Sequence, residues 1–89
     1  MTELEIREVI ADALDYAAVP RFRGSELRNQ FVAGATDILF DDLEIDSLAA
    51  MELCIALETN SGVSILPAEL PEFGTLGALV KRVESALAA

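Results

Sequence analysis

Apolar residues fall on helical spacing in three stretches of the chain. From Thr2 to Ala18, the positions Ile6, Val9, Ile10, Ala13, Leu14 and Ala17 recur at three and four residues, the signature of one buried stripe. Thr2 and Glu5 form a capping-box pair at its start, and Pro20 lies just past its end. From Asp46 to Asn60, Leu48, Met51 and Ile55 share one stripe while Leu53, Ala56 and Leu57 share an adjoining one. The apolar arc of this second helix is therefore wide. Asn60 and Gly62 end it with C-cap chemistry. From Thr75 to Ala88, Thr75 is the N-cap, and Leu76, Leu79, Val80, Val83 and Leu87 make a clean stripe. No run alternates strictly as a strand would. The pattern predicts an all-α fold: a small bundle of three main helices plus one or two short ones, with a long first loop.

That loop runs from Val19 to Ile45 and is rich in turn formers: Pro20, Gly24, Ser25, Asn29, Gly34 and Asp37. A structureless connection this long is uncommon. A short helix over Ser25 to Val32 is expected, pinned by Leu27 and Phe31, with Ile38, Leu39 and Phe40 then dipping into the core. The connector from Gly62 to Gly74 holds Pro67, which suits the first position of a short helix. Pro71 must stop or displace that helix.

Length and charge narrow the class. Eighty-nine residues make one domain, residues 1–89. With 53% hydrophobic residues, the chain is far from the disordered corner of composition. Its 16 acids against 6 cations give a net charge of −10, which argues against nucleic acid and anionic membranes and favours partners with basic docking patches. Arg21, Arg23 and Arg28 share one window with Phe22, but against this net charge they are expected to pair with the chain's own acids or touch a specific partner. No segment is long and apolar enough to span a membrane, and the acidic start M-T-E-L-E lacks a signal peptide's basic region. A cytoplasmic monomer is the expectation.

Several chemistries are excluded by what is missing. There is no histidine, so a Ser-His-Asp relay cannot be built and no zinc set exists. The single cysteine, Cys54, forms no intramolecular disulfide and reads as a small core residue. Asp42, Glu44 and Asp46 match positions 1, 3 and 5 of a calcium loop, but Ser47 stands where Gly is needed and Leu53 where Glu is needed. No metal site is expected beyond weak divalent binding at Asp41, Asp42 and Glu44. No acid–base pair with convincing spacing appears, so the chain is not read as an enzyme.

What remains is Ser47. It follows an acidic, turn-like run and opens an apolar helical segment. With Asp46 as N-cap it sits in the first turn of a helix, where free amides and the macrodipole tolerate a phosphate. The stretch F-D-D-L-E-I-D-S-L-A-A-M-E-L resembles the modification site of acyl carrier proteins: Phe40, Leu43, Asp46, Ser47, Leu48, Met51 and Glu52 hold the pattern positions. The Val-x-Ile step at Val63 and Ile65 and the Thr-Leu-Gly-Ala-Leu-Val start of the last helix are similar to that family too. One departure stands out: Glu44 occupies a position where many members have Gly.

The resemblance implies that Ser47 accepts 4′-phosphopantetheine from coenzyme A through a phosphopantetheinyl transferase, with Asp46 beside it. It implies that the arm carries an acyl thioester between enzymes of fatty-acid, polyketide or specialised lipid synthesis. It further implies that Leu48, Met51, Glu52 and Glu58 form a face for those enzymes; the periodicity alone leaves Leu48 and Met51 open between core and partner contact. Glu44-Ile45 stands where peptidyl carriers have paired glycines, which favours an acyl or small aminoacyl load. The rival reading is an unmodified acidic helical interaction module that uses Leu48 and Met51 as its contact patch.

Overall fold

The computed structural model describes residues 1–22 and 25–88. Arg23, one of the three loop arginines, and Gly24 lie outside the described residues. Six α-helices and one 3₁₀ turn are found among the described residues, in the order α1 (Glu3–Tyr16), α2 (Glu26–Val32), α3 (Phe40–Leu43), α4 (Ser47–Ser61), a 3₁₀ turn (Pro67–Glu69), α5 (Leu70–Phe73) and α6 (Leu76–Ala88). The fold is all-α, as the periodicity predicts. The three long helices α1, α4 and α6 pack together, with α1 against both of the others.

The capping box forms as expected. Thr2 Oγ1 accepts the Glu5 amide at 3.2 Å, and Glu5 Oε1 accepts the Thr2 amide at 2.9 Å. Ile6, Ile10, Ala13 and Leu14 bury the stripe facing α4 and α6. At its other end α1 closes with a Schellman motif. The Val19 amide donates to Leu14 O and the Ala18 amide to Asp15 O. Ala18 takes the left-handed conformation there, φ 55°, a place usually given to Gly. Burial of both Leu14 and Val19, which clamp the motif from its two ends, holds it.

The first loop is built rather than loose. Phe22 and Phe31 are both fully buried, and their rings meet edge to face at 6.2 Å. Arg7 lies over the Phe31 ring at 5.0 Å and donates to Phe31 O at 2.9 Å. Arg28 donates to Asp15 and to Asp12, each at 2.6 Å, which ties α2 to α1. Leu27 is a correction: expected to pin α2 beside Phe31, it points outward. In a helix of seven residues one buried side chain covers the available core face, and Phe31 takes it.

Leu39 is a second correction. Ile38 and Phe40 are buried, but Leu39 between them is exposed. The backbone here is extended and forms an isolated bridge with Thr75, so neighbouring side chains point to opposite sides. Phe40 N donates to Gly74 O and Leu76 N to Ile38 O, each at 2.9 Å.

Pro71 neither stops nor displaces the short helix after Pro67. The 3₁₀ turn passes into α5, where Pro71 occupies the first turn and needs no amide partner. Cys54 is buried in the core of α4, with Leu53, Ala56 and Leu57.

Candidate functional site

Four consecutive positions set Ser47. Leu43 is buried and anchors the end of α3. Glu44 is in the left-handed region, φ 51° and ψ 47°. For a residue with a side chain this costs about 1–2 kcal/mol relative to the right-handed form. Ile45 packs partly buried against the core. Asp46 is extended, φ −83° and ψ 177°, and its Oδ1 accepts the Ala49 amide at 2.8 Å, so it is the N-cap of α4. Ser47 is then the first helical residue, exposed to solvent.

The departure at Glu44 now has a physical meaning. The turn requires positive φ, which Gly adopts without steric cost. Glu44 carries a different support: Arg21 Nε and Nη2 donate to its two carboxylate oxygens at 3.2 and 3.3 Å. Both side chains are more than half exposed, so the pair is worth about 0–1 kcal/mol. It offsets part of the backbone cost rather than all of it.

Ser47 borders an open cleft of about 790 Å³. One wall is the start of α4, through Ser47, Ala50 and Met51; the other is the segment Leu66 to Pro71, with Phe40 and Ile45 between them. The lining is mostly apolar. Leu66 and Pro67 belong to this wall; the sequence marks Pro67 only as the start of a short helix and assigns neither residue to the site, the paired prolines that shape the segment being the visible signal. A smaller hollow of about 280 Å³ lies on the other side of the turn, between Ala17–Pro20 and Glu44–Asp46, and reaches Leu48 and Glu52.

The wide apolar arc of α4 divides in two. Leu53, Ala56 and Leu57 face the core. Leu48, Met51 and Ile55 are 64%, 52% and 59% exposed and lie on one outward stripe. Glu52, half-buried, and Glu58, exposed, adjoin that stripe at helical spacing. The structure thus brings Ser47, Leu48, Met51, Glu52 and Glu58 onto one accessible side of α4, with Asp46 at its head. Among the described residues, no three acidic or cysteine side chains converge on a metal-sized site, so Asp41, Asp42 and Glu44 do not form a cluster.

Residues 24–83 match the family model described as the phosphopantetheine attachment site. The chain belongs to this family. The resemblance to acyl carrier proteins read from Phe40 to Glu52 holds, and the cofactor is covalently attached 4′-phosphopantetheine. A relative, acyl carrier protein 2 of Ralstonia nicotianae (strain ATCC BAA-1114 / GMI1000), is 39% identical over 51 residues. That alignment covers 57% of this chain and 63% of the relative, so less than two thirds of the relative's own length is matched. No solved structure matches. The family match supports a carrier role for the chain.

The residues present fit the cofactor. A phosphodiester needs an accessible hydroxyl and a tolerant field, and Ser47 offers both at the amino end of a fifteen-residue helix. The cleft beside it gives the methyl and methylene groups of the arm a surface to lie against. No helix of the described residues is long and apolar enough to cross a membrane.

Proposed function

We propose that residues 1–89 form a single acyl-carrier domain in which Ser47 carries the 4′-phosphopantetheine arm. The observation that carries this reading is the exposed Ser47 hydroxyl at the first position of α4, capped by Asp46 and opening on the apolar cleft. A phosphopantetheinyl transferase supplies the catalysis. Ser47 Oγ attacks the phosphorus next to the pantetheine of coenzyme A, the anhydride P–O bond breaks, and adenosine 3′,5′-bisphosphate leaves. The hydroxyl proton passes to a base of the transferase. Bound, the arm supplies a thiol that holds an acyl group as a thioester.

The chain's own residues do the rest. Asp46 holds the first turn of α4 rigid beneath the attachment point. Leu48, Met51, Glu52 and Glu58 present the docking side to acyl-loading and acyl-processing enzymes. An apolar stripe edged with carboxylates suits basic docking patches and fast, reversible complexes. Tethering raises the local concentration of the acyl group at each enzyme. The protein works as a cytoplasmic monomer with an acyl, or small aminoacyl, load in fatty-acid, polyketide or specialised lipid synthesis.

The test is intact mass after incubation with coenzyme A, magnesium and a broad-specificity phosphopantetheinyl transferase, beside Ser47→Ala. The parent gains one phosphopantetheine and the variant, equally folded, gains none. Gain on the variant moves the attachment point elsewhere. No gain on either, with two different transferases, leaves an unmodified interaction module.

A further inference from the structure

Ser47 is placed by the turn before it, and one residue of that turn holds a conformation it does not favour. Leu43 is buried and Asp46 is tied to Ala49, so the path between them depends on Glu44 and Ile45. The Glu44 backbone is left-handed, and its amide reaches Asp41 O only at 3.4 Å. Support comes from outside the turn, through the Arg21 fork at 3.2 and 3.3 Å. Arg21 is itself well based, because Val19 and Phe22 around it are buried to 1% and 0% exposure. Between loop and turn lies the hollow of about 280 Å³, lined by Val19 and Pro20 on one side and Glu44 to Asp46 on the other. The Arg21–Glu44 ion pair joins the two segments beside it. Arg21 also precedes residues 24–83, the span that matches the family.

We propose that Arg21 is a positioning residue for the loading of Ser47. By clasping Glu44 beside the hollow, it holds the turn in its left-handed form and so fixes where the Ser47 hydroxyl stands when coenzyme A arrives. Resting as it does on Ser47 being the attachment point, this role adds no step to the transfer, and Arg21 touches none of the reacting atoms. Its effect is one of alignment, where small displacements of a nucleophile cost rate.

Loading rates distinguish this role. Mass gain from coenzyme A is followed at several protein concentrations for the parent, Arg21→Ala, Arg21→Lys, Glu44→Gly and the double variant Arg21→Ala/Glu44→Gly. Amide hydrogen exchange is recorded on each unloaded protein. In Arg21→Ala, kcat for loading falls roughly two- to fivefold with KM nearly unchanged, as an exposed ion pair allows. Arg21→Lys recovers part of the rate. Exchange quickens at Ile45 to Ala49 but not in α1 or α6. Glu44→Gly loads like the parent, and removing Arg21 from it changes nothing, because glycine holds the left-handed turn unaided.

A parental rate in Arg21→Ala overturns the proposal. So does a defect that persists in the Glu44→Gly background or appears in KM alone, since Arg21 would then contact the transferase. Arg28→Ala, which breaks ion pairs distant in sequence from Ser47, is the control: an equal fall in kcat there makes the effect one of general stability and overturns the role. If the parent itself gains no arm, the assignment of Ser47 fails first, and the role of Arg21 falls with it.

Discussion

Asp37 Oδ1 accepts the amide of Gly77 at 2.8 Å, so the first turn of α6 is capped from forty positions away in the chain. The same oxygen accepts the Ile38 amide at 2.8 Å. A Cβ on Gly77 would stand 2.6 Å from Asp37 Oδ2. The cap therefore needs both an acid at 37 and the absence of a side chain at 77. Gly77→Ala, which in an open helix would stabilise, is expected to cost about 1 kcal/mol here because it displaces the cap. That is a fall in Tm of roughly 4–8 °C for a domain of this size. In an Asp37→Ala background the same change is expected to raise Tm. A rise in the parent background would sink the account of the cap.

The acid limb of stability carries the same contact. Partial burial pushes the Asp37 carboxyl up, but hydrogen bonds from the Gly77 and Ile38 amides and from Thr75 outweigh it, so its pKa lies below the ordinary 3.8. A carboxyl with a depressed folded pKa contributes fully above its unfolded pKa and loses that contribution as pH falls through the folded value. The stability difference between parent and Asp37→Asn is therefore expected to shrink from about pH 5 to about pH 2 in denaturant titrations. A difference that stays constant over that range would exclude a role for the ionised carboxylate.

Arg28 bridges Asp15 and Asp12, and its pKa is raised, first by the hydrogen bond to Asp15 and against the opposing effect of burial. Asp15 Oδ1 is buried without a partner of its own, so the other oxygen depends on Arg28. Arg28→Ala is expected to cost about 1–3 kcal/mol, because it leaves a half-buried carboxylate unpaired. Arg28→Lys restores only part, since an ammonium does not span two carboxylates as a guanidinium fork does. Urea midpoints measure both; a midpoint for Arg28→Lys equal to the parent's would show that fork geometry is unimportant.

The two stripes of α4 predict opposite responses to the same chemical change. Leu53→Ala opens a cavity in the core and is expected to cost about 2–5 kcal/mol. Leu48→Ala and Met51→Ala remove exposed side chains and are expected to stay within about 0.5 kcal/mol of the parent. Under the proposed carrier role, their effect is expected in binding to acyl-processing enzymes, read by titration of the loaded protein. Loss of stability in Leu48→Ala without loss of binding would return that stripe to the core.

The helices α1 and α6 were legible because each buries one face against one core, so a single stripe appears at helical spacing. For α4, periodicity reported an arc too wide for one face and could not say which half looks outward. Only packing against α1 decides that Leu53 and Leu57 go in while Leu48 and Met51 stay out. Leu27 and Leu39 were misplaced because a seven-residue helix and an extended bridge give too few repeats for a face to be assigned. The serine and its cap were readable because capping is local chemistry. The left-handed turn at Glu44 was not, since its support comes from Arg21, twenty-three positions earlier in the chain. The motif nevertheless marked the position as unusual.

Cys54 is the chain's one thiol, and it is shut into the core of α4. Burial pushes its pKa up, and the charge of Glu69 adds to the rise. Exchange of an acyl group between thiols requires a thiolate that can reach the thioester. A carrier that holds its load by a thioester is exposed to theft by any reactive sulfur nearby, its own included. Here the resident sulfur is both out of reach and disfavoured as a thiolate, so under the proposed carrier role Cys54 does not compete with a docked enzyme for the load.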